Sequence, residues 1–219
     1  SDTRIEFYRR FVRPGTNLAD PRQMVEVRDR MLHTLDANGA DLNFVKTHNR
    51  NVRAFGFDLA PPHLTRGAIY LLRDPRDMVI SYASHHGAGL DEAIVRLDHP
   101  DNATGADASN VHQFHGTWSE HVKGWTSARG FPVHTVRYED MLQKPEQTFR
   151  KIVRFLRLDL DKTRLAKAID FSSFKQLKAQ EQKSGFIENP NHQDAFFRSG
   201  KAGGWKDALT REQAHKIET

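Results

Sequence analysis

The sequence predicts an α/β fold in which a central parallel β-sheet is flanked by helices. Short apolar runs rich in β-favouring residues alternate with longer segments whose apolar residues recur at helical spacing. This alternation is typical of parallel sheets, because a crossover helix must join each strand to the next. The clearest strand is Ala68–Leu72, and residues 132–138 form a second. Since 219 residues can bury a full core, we expect a single domain over residues 1–219.

The first fifth of the chain contains one long helix and a short strand. Residues 21–35 place apolar side chains at helical spacing, and Asp20 is a suitable N-cap before Pro21. Residues 42–45 are mostly apolar and predict a short strand that runs directly into Lys46.

The later elements continue the alternation of strand and helix. Residues 99–109 are polar and contain glycine, so we expect a loop there. Apolar residues at helical spacing predict helices over residues 78–86, 90–97, 111–125, 145–158, 162–169, 175–182 and 211–218.

Composition excludes several classes of site. The absence of cysteine excludes disulfides, thiol catalysis and thiolate-bound metals. No apolar run approaches the roughly 20 residues that a membrane span needs. The net charge of +5 is small, and no nucleic-acid-binding motif occurs, so a domain that binds nucleic acid ranks last. The polar first residues do not resemble a signal peptide, and a cytoplasmic enzyme is expected.

A candidate phosphate site follows the strand Ala68–Leu72. Arg73 lies at the carboxyl end of this strand, Asp74 suits an N-cap, and Pro75 suits the first position of the next helix. Ser81 lies two turns into that helix. Ligands of open α/β sheets bind at the carboxyl ends of strands, and a guanidinium grips phosphate with two parallel hydrogen bonds. The alternative is a surface network of arginines and aspartates at the strand–helix turn.

Two further segments carry chemistry. Lys46 and His48 follow the predicted strand at positions i and i+2, so their side chains point the same way. Lysine can neutralise a transferring anion, and histidine can accept a proton near neutral pH. A surface lysine beside a solvated histidine is the alternative. Residues 196–206 form a glycine-rich loop in which Arg198 and Lys201 supply charge for a phosphate.

Taken together, these segments resemble the soluble sulfotransferases that use 3'-phosphoadenosine 5'-phosphosulfate (PAPS). Five segments match in the family's order, at residues 45–48, 70–82, 116–122, 137–145 and 197–206. The resemblance implies the P-loop nucleotide-kinase-like fold of that superfamily. It also implies PAPS as cofactor, adenosine 3',5'-bisphosphate (PAP) as product, no metal, and a small acceptor with a hydroxyl or an amine. Neither nucleic acid nor membrane is expected as a partner.

The resemblance also implies a role for each site residue. Lys46 would stabilise charge on the transferring sulfuryl group and on the leaving phosphate, and His48 would deprotonate the acceptor. Tyr138 would contact the adenine end of the nucleotide, and Ser172 and Phe174 would lie beside the base. The residues expected to hold the 3'-phosphate are Arg73, Ser81, Arg198, Ser199 and Gly200.

Several departures from the family pattern qualify this expectation. The family's first phosphate loop, which holds the 5'-phosphosulfate, should precede residue 1, so we expect a domain that lacks its first strand, loop and helix and is also cut short at its C-terminus. The alternative is a non-catalytic module that binds 3'-phosphonucleotides and has lost that loop. Ser199 and Gly204 stand where the family usually has Lys and Asp. The family's dimer motif is only partly present, since Lys206 and Thr210 match but later positions do not, and the oligomeric state is left open.

Overall fold

Residues 2–186, 189 and 195–219 are described by the computed structural model. They group into two compact units, each built from two pieces of the chain. The first unit is Ser1–Ala68 with Leu97–Val133, and the second is Ile69–Arg96 with His134–Thr219.

The first unit is built on helix α2 and two short hairpins. Its elements are α1 (Ile5–Tyr8), a 3-10 turn (Arg9–Phe11), α2 (Pro21–Asp36), β1 (Arg53–Ala54), β2 (Phe57–Asp58), β4 (Ala103–Thr104), β5 (Gln113–Phe114) and α5 (Trp118–Thr126). Strands β1 and β2 pair antiparallel, as do β4 and β5.

Helix α2 supplies the core of the first unit, as its apolar spacing predicts. Met24, Val27 and Met31 are fully buried, and they lie on one face because residues three and four apart are neighbours on a helix. The Asp20 carboxylate accepts the N–H of Arg22 at 2.9 Å, which confirms the predicted N-cap.

The second unit contains the longer strands and most of the later helices. Its elements are β3 (Ala68–Leu72), α3 (Pro75–His86), α4 (Leu90–Leu97), β6 (Val133–Arg137), α6 (Tyr138–Gln143), α7 (Pro145–Phe155), α8 (Lys162–Phe171), α9 (Phe174–Ser184), α10 (Trp205–Ala208) and α11 (Arg211–Glu218). Strands β3 and β6 pair parallel, and together with the mixture of helices they confirm the predicted α/β class. Tyr70 and Val136 are the buried residues of the two strands.

Two elements predicted from the sequence are wrong. Residues 42–45 form no strand, and Phe44 is 69% exposed, so this apolar run lacks the buried pleated surface that favours a strand. Residues 111–117 are not helical: the Phe114 N–H donates to the buried Asn49 side chain at 2.8 Å, and its carbonyl accepts the Arg50 N–H at 2.8 Å. These bonds hold the backbone extended, and α5 begins only after Thr117.

Candidate functional site

The turn from β3 into α3 fixes the position of Arg73. Asp74 caps α3 by accepting the N–H of Arg76 at 2.9 Å, and Pro75 occupies the first helical position. The Asp74 N–H is itself bonded to a Glu139 carboxylate oxygen at 3.0 Å. Both backbone and side chain of the capping residue are therefore held, and the residue before it has little freedom.

The guanidinium of Arg73 is held on several sides. Its Nη1 donates to Ser81 Oγ at 3.1 Å and its Nη2 to the Lys201 carbonyl at 3.3 Å. Its central carbon lies 4.6 Å from the centroid of the Tyr138 ring, in cation–π contact. The Nε of Arg73 is buried and has no hydrogen-bond partner within the described residues. A buried donor without a partner is costly, so an oxygen-bearing anion at this position would be stabilised.

The loop at residues 198–201 lies beside this arginine. Arg198 is exposed, and its Nη2 reaches the Ile80 carbonyl at 3.4 Å, one residue before Ser81. Gly200 has a φ of 60°, and a Cβ built on it would lie 2.3 Å from the Phe174 ring. Only glycine allows this close approach in this backbone conformation. Ser199, which was predicted to hold phosphate, is exposed in the same loop.

Phe174 and Ser172 lie at the junction of α8 and α9. Phe174 is the first residue of α9, and its ring meets Phe197 edge-on with centroids 6.4 Å apart. Ser172 is the C-cap of α8, and its hydroxyl donates to the Ala168 carbonyl at 2.7 Å. The second unit therefore brings Arg73, Ser81 and Tyr138 together at the loop, and Phe174 with Gly200, whereas Ser172 is engaged with its own helix.

Two buried carboxylates that the sequence did not single out bind the ends of this loop. Asp77 accepts the N–H groups of Gly203 at 2.6 Å and Trp205 at 2.9 Å. Glu181 accepts the N–H groups of Phe196 at 2.6 Å and Phe197 at 3.1 Å. For Asp77 the sequence signal was Gly203, whose backbone N–H has no side chain of its own beside it, whereas Glu181 binds the amides of Phe196 and Phe197, which carry no such signal.

An ion-pair network lies next to Asp77. The Arg76 guanidinium contacts the carboxylates of Asp74 at 2.7 Å and Glu218 at 2.6 Å, and it stacks 4.0 Å from the Trp205 ring centroid. The hydrogen bond from Arg76 lowers the pKa of the Asp74 carboxyl, against the opposing effect of its burial. The arginine–aspartate network that was the alternative interpretation of this motif thus exists beside the Arg73 cluster.

The predicted catalytic pair lies in the first unit, in a segment held by Asn49. Lys46 and His48 are exposed, whereas Asn49 is 2% exposed. The Asn49 Oδ1 accepts the N–H of Phe114, and its carbonyl accepts the indole N–H of Trp125 at 3.1 Å. This buried residue fixes the backbone directly after His48, and sequence reasoning missed its role because asparagine is usually a surface or turn residue.

Two further histidines surround the backbone carbonyl of His48. Nδ1 of His115 lies 3.2 Å from that oxygen and Nε2 of His121 lies 3.3 Å from it. Because a carbonyl only accepts, the nitrogens that contact it donate protons, and the Nε2 of His115 is then the acceptor for the Thr104 hydroxyl at 2.9 Å. Burial lowers the pKa of His121, and the nearby Arg50 charge acts in the same direction.

The described residues offer neither a metal site nor a membrane-spanning helix. They contain no cluster of three or more histidine, aspartate or glutamate side chains arranged to hold a metal ion. None of their helices is both long and apolar enough to cross a bilayer.

Comparison with curated proteins finds sulfotransferases. The chain is 28% identical over 159 residues to sulfotransferase 1C2 of Oryctolagus cuniculus, covering 68% of this chain and 51% of that protein. It is 28% identical over 162 residues to sulfotransferase 1A1 of Rattus norvegicus, covering 68% and 52%. The chain thus spans about half the length of the curated relatives it matches.

Solved structures with a similar fold include a retinol dehydratase and a sulfotransferase. Retinol dehydratase in complex with androsterone and the inactive cofactor PAP aligns with a TM-score of 0.60 and 21% identity, covering 96% of this chain and 62% of that one. Mouse sulfotransferase SULT7A1 complexed with PAP aligns with a TM-score of 0.53 and 21% identity, covering 68% and 55%.

The family match covers most of the chain. Residues 36–219 match the family described as the sulfotransferase domain, a range that includes every site residue predicted above. The strand, the arginine-bearing turn and the glycine-rich loop all lie inside it. The chain therefore belongs to the sulfotransferase domain family.

Proposed function

We propose that this chain transfers a sulfuryl group from PAPS to a hydroxyl or amine of a small organic acceptor. The observation that carries the proposal is the Arg73 guanidinium, which is stacked on Tyr138, bonded to Ser81 and Lys201, and has a buried Nε without a partner in the described chain. This cluster has the chemistry of a site for a phosphate monoester.

The residues of the second unit fit the 3'-phosphate end of such a nucleotide. Arg73 offers its Nε, and the hydroxyl of Ser81, which accepts from Arg73, still has its own proton to donate. Arg198 adds a second cation beside them. Phe174 offers an aromatic face of the kind on which bases stack. Two of the solved structures with this fold carry PAP, which supports a nucleotide of the same type here.

Roles in the transfer itself are proposed for the pair in the first unit. When bound, PAPS supplies the sulfuryl group and a phosphate leaving group. His48 accepts the acceptor's proton on a ring nitrogen while the new oxygen–sulfur or nitrogen–sulfur bond forms and the bond from sulfur to the leaving phosphate breaks. Lys46 neutralises negative charge on the transferring and leaving groups. The exposure of both side chains leaves them accessible to ligands.

The acceptor and the compartment belong to the same proposal. One solved structure with this fold, retinol dehydratase, carries androsterone, which supports a small organic acceptor for this chain as well.

We also propose a cytoplasmic location, which the composition supports, because 28% of the residues are charged and no cysteine can form a disulfide.

A transfer assay tests the proposal. The chain is incubated with PAPS and a panel of phenols, alcohols and amines, and PAP release is measured for the natural chain and for His48→Ala. We expect release that depends on an acceptor, and a loss of about a hundredfold or more in His48→Ala with nucleotide binding unchanged. Binding of PAP without turnover of any acceptor would favour the non-catalytic module instead. Equal loss of PAP binding in His48→Ala would contradict its assignment as a base.

A further inference from the structure

The segment that carries Arg198, Gly200 and Lys201 is bound at both ends by buried carboxylates. We call residues 198–202 the basic loop. Before it, Glu181 accepts the N–H groups of Phe196 and Phe197, and after it Asp77 accepts those of Gly203 and Trp205. Each carboxylate therefore uses both of its oxygens on backbone amides of the chain that enters or leaves the loop.

Both carboxylates are buried, which makes these bonds strong determinants of the loop's position. Asp77 is 3% exposed and Glu181 is 9% exposed. A buried carboxylate must be paired or hydrogen-bonded, because leaving it without donors costs several kcal/mol. Glu181 lies in the last turns of α9, where the helix dipole disfavours a negative charge. Its two amide donors therefore offset the unfavourable interaction of the carboxylate with this end of the helix.

Each carboxylate shares a helix face with a residue of the proposed nucleotide site. Asp77 and Ser81 are four residues apart on α3, one turn from each other. Glu181 and Phe174 are seven residues apart on α9, two turns from each other. The same two helices that present the hydroxyl and the aromatic ring therefore also hold the ends of the loop that presents the cations.

From this arrangement we infer that Asp77 and Glu181 are positioning residues for nucleotide recognition. They set the basic loop against Ser81 and Phe174, so that the Lys201 carbonyl meets Arg73 and Gly200 lies on the Phe174 ring. In this way they determine how strongly the site prefers a nucleotide with a 3'-phosphate. This inference rests on the proposed function, because it assigns the ligand of the same site.

Asp77→Asn and Glu181→Gln test the inference with almost no change of side-chain volume. An amide has one accepting oxygen, and its NH₂ group would face the second backbone N–H, so each variant loses one bond and gains a repulsive contact. Asp207→Asn is the matched control, because it removes the same charge from an exposed carboxylate two residues after Trp205. Circular dichroism and thermal unfolding verify that each variant folds.

Two measurements on the full chain test the backbone hydrogen bonds and the nucleotide recognition separately. Amide hydrogen exchange without nucleotide reports the bonds themselves: Gly203 and Trp205 should exchange faster in Asp77→Asn, and Phe196 and Phe197 in Glu181→Gln. Calorimetric titration with PAP and with 5'-AMP reports recognition. We expect each variant to lose about ten- to a hundredfold in PAP affinity, with 5'-AMP affinity and the control unchanged.

The outcomes separate this inference from the proposed function. If the natural chain prefers PAP over 5'-AMP and both variants keep that preference, the positioning role is overturned and the proposed function stands. If PAP and 5'-AMP affinities fall equally, the carboxylates support the fold in general and the inference is also overturned. If the natural chain shows no preference for PAP although the exchange results are as expected, the proposed function fails, and with it the assignment of a ligand to the loop.

Discussion

At the scale of single residues, the site depends on groups whose partners lie far away in sequence. Arg73 contacts Ser81 eight positions later and Lys201 on a distant loop. The first contact joins two residues that were expected from the sequence to hold the same phosphate, but their hydrogen bond to each other was not predicted. The second depends on how the chain returns, and neither composition nor periodicity contains that information.

The Asp74–Arg76 ion pair should make the free energy of unfolding depend on pH in the acidic range. The bond from Arg76 lowers the pKa of Asp74 in the folded chain, so the ionised carboxylate stabilises the fold above the unfolded pKa of about 3.9. That contribution is lost as the pH falls through the folded pKa. Asp74→Asn keeps an N-capping side chain and removes the charge. We expect the free energy of unfolding of the natural chain to exceed that of Asp74→Asn by no more than about 1 kcal/mol at pH 7, because the pair is partly exposed.

Urea unfolding at pH 7 and pH 3 measures this difference in the free energy of unfolding. Asp159→Asn serves as control, since Asp159 is an exposed carboxylate. The stability difference between the natural chain and Asp74→Asn should be smaller at pH 3 than at pH 7, while the control shows no comparable change. A larger stability difference at pH 3 would have the wrong sign and would exclude the ion pair as the cause of that difference.

At the scale of elements, local sequence signals correctly predicted the start of one helix and the bounds of one strand. Pro75 after a capping Asp74 marked the start of α3, and the strand Ala68–Leu72 has the predicted bounds. The same logic failed at residues 42–45 and 111–117, because the first lacks a buried face and the second is held extended by Asn49 and Arg50. At residues 111–117 tertiary hydrogen bonds overrode local preference, and a single sequence does not show such bonds.

Gly200 tests the contact between the basic loop and α9. In Gly200→Ala the new methyl would lie 2.3 Å from the Phe174 ring, in a backbone conformation that L-residues rarely adopt. Loop and ring must separate, and we expect PAP affinity to fall about tenfold or more. Calorimetry measures it.

Gly39→Ala is the control for this variant. Gly39 also has a positive φ, 75°, but nothing lies within 4 Å of an added Cβ, so it reports backbone strain alone. If Gly39→Ala and Gly200→Ala left PAP affinity equally unchanged, the packing of Gly200 on Phe174 would be irrelevant to recognition.

At the scale of the whole molecule, the family was readable from the order of five short segments. Each is weak alone, but their order along the chain is specific, and the family match over residues 36–219 agrees with it. What the sequence did not reveal are the buried groups that hold those segments, namely Asn49, Asp77 and Glu181. Buried polar residues look like surface residues in a sequence, because only the fold shows which amides they meet.

The first unit contains a buried ion pair. Arg28 on α2 donates to the Asp2 carboxylate at 2.9 Å and to the Leu59 carbonyl, and both side chains of the pair are almost fully buried. Arg28→Met leaves the Asp2 charge buried without its partner. We expect a loss of about 3–5 kcal/mol in the free energy of unfolding, measured by urea denaturation.

Two further variants make this prediction specific. Arg22→Met, at an exposed position of the same helix, should cost less than about 1 kcal/mol. Combining Arg28→Met with Asp2→Leu removes both charges and should recover much of the loss. If the double variant were as unstable as Arg28→Met, the lost packing and the lost bond to Leu59 would account for the effect instead of the unpaired charge.

The central claim, that the second unit binds a nucleotide through its 3'-phosphate at Arg73, is tested most directly by calorimetric titration with PAP and 5'-AMP. The natural chain should bind PAP at least about tenfold more tightly than 5'-AMP, and Arg73→Ala should remove that preference while still binding 5'-AMP. Arg73→Lys should recover little, because an ammonium offers no planar fork of donors. Equal affinity of the natural chain for both nucleotides, or a preference that survives in Arg73→Ala, would contradict the claim.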